Sequence, residues 1–152
     1  AAGQVVTGKI ARQVIEQQIR ENPRDPELHG MLGDLEYARD NPDAAISAYE
    51  QALSLDADSV RALNNLAWLY ATAAKDSRFF RPQRALELAR RAVSHTDEPH
   101  VLDTLAEAFF VNGEYERAVA VEQRALDAAG GNRSHYRKQL EKYRRAAKAG
   151  RP

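Results

Sequence analysis

The strongest constraint on how this chain can fold is that it states nearly the same pattern three times. The segments "ELHGMLGDLEYARDNPDAAISAYEQALSLD", "ALNNLAWLYA" continued by "PQRALELARRAVSH", and "HVLDTLAEAFFVNGEYERAVAVEQRALDAA" share one grammar. Each opens with a helix-like run in which Leu precedes a small residue: Leu32-Gly33, Leu66-Ala67 and Leu105-Ala106. Each continues with a second run that starts small-aliphatic, at Ala45-Ile46, Ala85-Leu86 and Ala118-Val119, and places Ala again seven residues on, at Ala52, Ala92 and Ala125. A helix returns to the same face about every seven residues, so these alanines line one stripe and allow a neighbouring helix to approach closely. Repetition at this spacing implies a stack of helical hairpins, each burying its apolar face on the next.

The pattern resembles the tetratricopeptide repeat, a helix–turn–helix unit of about 34 residues. The units begin near Pro26, Val60 and Pro99, the first two 34 residues apart and the next two 39 apart. Gly33, Tyr70, Ala45, Tyr49 and the turn "NGEYERAV" occupy positions where that family asks for small and aromatic residues. His29, Glu36 and Glu122 depart from it, the last two standing in for aromatics. The resemblance implies an all-α, right-handed α-solenoid of antiparallel helix pairs. It is expected to form one domain over 1–152: an orphan helix at 5–22, repeats at 26–58, 60–97 and 99–130, and a capping helix at 133–149. In the orphan segment Ala11 lies 34 residues before Ala45, the place of a second helix whose first is missing, which reads as a chain cut from a longer one or a simple cap. In the last segment Ser134 is an expected N-cap, with Tyr136, Leu140 and Tyr143 turned inward and the basic residues outward.

From Ala67 to Ala85 the second repeat spends 18 residues where the first spends 12 from Gly33 to Ala45, so six residues are inserted at "KDSRFFRP". Pro82 suits the first turn of the helix that follows. Phe79 or Phe80 is expected to fold over the hairpin end. The competing expectation makes Phe79, Phe80 and Arg81 an exposed secondary contact for a partner.

Charge is balanced overall but unevenly placed. Residues 133–152 carry eight Lys/Arg against Glu141 alone, a net +7 offset by −7 in residues 1–132. The absence of cysteine excludes disulfides and thiolate chemistry and fits the cytoplasm and a bacterial periplasm equally. No apolar run approaches the length of a transmembrane helix.

Catalytic chemistry is not in evidence. The histidines include no HExxH pair, "HTDEPH" lacks metal-site spacing and reads as helix capping, "AGGN" reads as a helix C-cap, and "NRS" is a nominal glycosylation sequon. The chain is therefore read as non-enzymatic, with neither metal nor cofactor. By resemblance, function resides in the concave wall built by the first helix of each repeat. Its groove positions are Glu27, Asp34 and Tyr37, then Arg61, Asn64, Asn65, Trp68 and Thr72, then His100, Asp103, Glu107 and Phe110. The family's carboxylate clamp is incomplete: Asn65 matches, but Gly30, Asp34, His100 and Thr104 replace its other members. Four acids and one Arg favour a basic or neutral extended protein segment. The expected partner is thus a protein or peptide, with nucleic acid disfavoured and self-association through the repeat ends left open. Two alternatives stay open: the basic last helix binding an anionic membrane or nucleic acid, and an accessory domain of an enzyme encoded in the same full-length chain.

Overall fold

Where each helix starts is decided by residues that suit a first turn. Pro26, Pro42, Pro82 and Pro99 each occupy an opening helical position, where a missing N–H costs nothing. In the computed structural model, which describes residues 2–150, the order is α1 (Ala2–Glu21), α2 (Pro26–Ala38), α3 (Pro42–Leu55), α4 (Val60–Thr72), α5 (Pro82–Val93), α6 (Pro99–Val111), α7 (Tyr115–Ala128) and α8 (Ser134–Ala149). There is no strand among the described residues, so the fold is all-α. The chain divides into two compact units, Ala1–Leu66 and Ala67–Pro152, with the boundary inside α4.

In the first unit, α2 and α3 form a tight hairpin and α1 packs on α2. Asp25 caps α2 by accepting from the Glu27 N–H at 2.9 Å. The turn into α3 passes through Asp40 at φ 57°, a left-handed conformation that Asp tolerates better than most residues. Gly33 permits the close approach of the two helices, because a methyl group on its Cα would collide with the edge of the Tyr49 ring. Glu36 stands where the repeat asks for an aromatic, and it is buried. Its carboxylate is compensated by Arg12 Nε at 3.3 Å, Arg39 Nη1 at 3.3 Å and Asn41 Nδ2 at 2.9 Å. A buried charge with that many donors is tolerated where a bare one would not be.

In the second unit, α5 packs on α6, α6 on α7 and α7 on α8. Gly113, at φ 78°, makes the turn between α6 and α7, while Asn112 Nδ2 ties that turn to α5 through the Pro82 carbonyl at 2.8 Å. The six repeat-marking alanines, Ala45, Ala52, Ala85, Ala92, Ala118 and Ala125, are all fully buried across the two units.

Two local expectations are corrected. Ser134 is the first residue of α8 rather than its cap; its N–H donates to Asn132 Oδ1 at 3.2 Å, and Arg133 holds the cap position. The glycines at 130–131 do not terminate α7 in a left-handed turn, since the chain leaves at Ala129 in an extended conformation. The six-residue insertion lies in the loop 73–81 and lengthens neither flanking helix. The loop is closed by the Arg81 N–H donating to the Tyr70 carbonyl at 3.1 Å, with inner turns Ser77 to Ala74 at 2.8 Å and Phe80 to Ser77 at 3.1 Å. Phe79 and Phe80 are both half-buried, and the guanidiniums of Arg78 and Arg81 lie over the rings of Phe79 and Tyr70, 4.7 and 5.6 Å from their centroids.

Candidate functional site

The sequence-predicted groove residues fall in both units, and the helices treat them differently. In the first unit they converge on Asp34, which accepts from Tyr49 Oη at 2.8 Å, Asn65 Nδ2 at 2.7 Å and Arg61 Nη1 at 2.6 Å. Arg61 also reaches Glu27 Oε2 through Nε at 3.0 Å, and Gly30 leaves the space beneath its aliphatic stem. Burial works against the Arg61 charge, but the bonds to Asp34 and Glu27 outweigh it and raise the guanidinium pKa further. Burial and the bond to Asp34 likewise push the Tyr49 phenol well above its usual range. Asn64 is buried, donating to Asn65 Oδ1 at 3.0 Å, and its own Oδ1 finds no partner among the described residues. Asn65 is thus engaged inside the unit through both its oxygen and its nitrogen, and Asn64 through its nitrogen.

The first unit leaves Ile10 and Val14 of α1 exposed, and with them the outer stripe of α2. Glu27 is exposed and Asp34 half-exposed, with Met31 40% and Tyr37 43% exposed. Met31 was not among the sequence-predicted groove residues, although it lies four positions after Glu27 and three before Asp34, on the same helical face.

In the second unit, Thr72 is exposed, with its hydroxyl turned back to the Trp68 carbonyl at 2.7 Å, and Trp68 is half-buried. His100 is exposed beside Glu98 at 3.4 Å. The expectation that Asp103 and Glu107 line an open groove is corrected: both are buried, and side chains of α8 reach each of them. Asp103 Oδ2 meets His135 Nε2 at 2.7 Å. Glu107 accepts from Lys142 Nζ at 2.8 Å and from Tyr143 Oη at 2.5 Å. Phe110 is covered from the same side, with the Tyr143 ring 5.2 Å away and Lys142 Nζ 4.5 Å from its centroid. Asp103 and Glu107 therefore act as the seat of the last helix.

A third carboxylate completes this seat. Glu122 of α7 has no exposed surface, and neither of its oxygens nor Asp103 Oδ1 finds a donor among the described residues. Burial, then the charges of Asp103 and Glu107, push its pKa up to about 9, so at neutral pH it keeps a proton that it can donate to Asp103. Burial also raises the Tyr143 phenol, with Glu107 adding to the effect.

No group of three or more His, Asp or Glu side chains among the described residues is arranged to hold a metal ion. None of the helices is long and apolar enough to cross a membrane.

Comparison with known proteins accords with the geometry. Residues 33–72 match a family model described as TPR repeat, and residues 78–133 match one described as tetratricopeptide repeat. Cellulose synthase operon protein C of Xanthomonas axonopodis pv. citri (strain 306) is 48% identical over 61 residues. That match covers 40% of this chain and only 4% of the relative's length. Among solved structures, the first TPR domain of human RPAP3 superposes with a TM-score of 0.72 at 19% identity, covering 84% of this chain and 95% of that one. PilW, a widely conserved type IV pilus biogenesis factor, gives 0.73 at 17% identity, covering 93% of this chain and 72% of that one.

Proposed function

The chain belongs to the tetratricopeptide-repeat family, and from that premise we propose that it is a non-catalytic protein-interaction scaffold that holds an extended, basic or neutral protein segment. The observation that carries this reading is the outer stripe of α2, where two large apolar side chains, Met31 and Tyr37, stay exposed next to the acids Glu27 and Asp34. Helical-repeat proteins act through such surfaces, and a segment with an apolar side chain beside a Lys or Arg would meet both kinds of group. A role within a larger assembly or biogenesis system is supported by the relative from a cellulose synthase operon and by the pilus biogenesis factor that shares the fold.

The test is selection of peptides from a random library on the immobilised protein, followed by titration of the enriched sequences. Enriched peptides should combine an apolar and a basic residue. The double variant Met31→Ala/Tyr37→Ala should weaken them by roughly 1–3 kcal/mol, the range of interface anchors, without lowering the melting temperature. Equal affinity for the variant and the native protein would place recognition elsewhere.

A further inference from the structure

The cations of α8 are divided between its two sides. Lys142 faces α6 and is matched there by Glu107, beside the contact between His135 and Asp103. Arg137, Lys138, Arg144, Arg145 and Lys148 are exposed. Across this exposed face the charge is almost all of one sign: Glu141, bonded to Arg145, is its single acid. Arg144 bonds only the neutral Gln123 of α7, at 3.1 Å, and Arg137, Lys138 and Lys148 have no acid partner among the described residues. No large apolar side chain of α8 is exposed. The cations from Arg137 to Lys148 thus form a row of one sign extending about 16 Å along the helix.

We propose that the exposed face of α8 is a second interaction surface that binds an acidic protein segment. The position of Glu141 decides among anionic partners. It lies within the row, four residues after Arg137 and four before Arg145, and opposes any uniformly negative surface such as a phosphate backbone or a layer of anionic lipid headgroups. A polypeptide can present Glu or Asp to the cations and a neutral or basic residue to Glu141. The face also lacks the aromatic side chains that stack nucleobases and the apolar ones that enter a bilayer.

The probe is a synthetic helical peptide of about 16 residues, long enough to follow α8, with Glu along one face and a Lys opposite Glu141. Fluorescence anisotropy against the intact chain should show binding at low salt that weakens as salt rises. The triple variant Arg137→Glu/Arg144→Glu/Lys148→Glu should weaken it by about tenfold or more, and Arg137→Gln/Lys148→Gln by less. These side chains are solvated, so melting curves should confirm that both variants fold. Met31→Ala/Tyr37→Ala should leave the affinity unchanged, which separates this surface from that of α2. A triple variant that binds the peptide as tightly as the native chain overturns the proposal. So does native protein that prefers single-stranded RNA or phosphatidylserine vesicles to the peptide.

Discussion

Replacing Glu122 by Gln should stabilise the protein, although it alters a fully buried side chain. The native carboxyl holds its proton up to a pKa of about 9, whereas in the unfolded chain a Glu releases it near pH ~4.3. The folded state therefore binds more protons than the unfolded state between these values. Stability present at acid pH is progressively lost as pH rises toward the folded pKa. At pH ~7 the cost is roughly 1.4 kcal/mol for each of about 2.7 pH units, or ~4 kcal/mol as an upper figure. Glutamine keeps the shape, donates to Asp103 through its amide and has no proton to retain. The expected gain for Glu122→Gln is about 2–4 kcal/mol near pH ~7, falling to about 1 kcal/mol or less near pH ~5. Asp103 and Glu107 of α6, and Tyr136, His135, Lys142 and Tyr143 of α8, surround the same seat and remain in both proteins. The difference between the two pH profiles thus reports Glu122 together with its coupling to Asp103 and Glu107. Urea unfolding followed by circular dichroism from acid to mildly alkaline pH measures it. A variant less stable than the native protein at neutral pH, or one whose stability falls with pH as steeply, would refute the argument.

Three other outcomes are expected. Gly33→Ala should cost about 1–3 kcal/mol, the usual range for overpacking, because its methyl group meets the Tyr49 ring; unchanged thermal unfolding would show that the hairpin can open to admit it. Phe79→Ser/Phe80→Ser should lower the melting temperature, readable by calorimetry, because losing the half-buried apolar surface costs roughly 1–3 kcal/mol of stability. Deletion from Arg133 onward should produce self-association in analytical ultracentrifugation, because it removes the buried Leu140 and Tyr143 and uncovers Asp103 and Glu107 together with the apolar surface around them.

The repeat made the helical architecture legible because it is written in the smallest residues. Only Gly or Ala fits where two helix backbones nearly touch, so Gly33 and the six alanines mark seams whatever surrounds them. Facing was less legible, since helical periodicity tells which residues share a side and not what lies opposite. Asp103 and Glu107 have the charge and spacing of solvated groove residues, and only the placement of α8 reveals that they are buried. The same ambiguity covers Glu36 and Glu122: both replace expected aromatics and both are interior, but one has Arg12, Arg39 and Asn41 as partners and the other depends on its own proton. Met31 could have been found by extending the Glu27–Asp34 stripe through its middle.

The clasp between the Arg81 N–H and the Tyr70 carbonyl joins the two ends of the 73–81 loop. Residues between those ends can be added or removed without moving the main-chain path of either flanking helix, and the entropic cost of a longer loop grows only slowly with length. The exposed pair Lys75 and Asp76 at its crest is accordingly a natural port for engineering, where a fluorophore or an affinity tag could be spliced in while the helices on both sides keep their register.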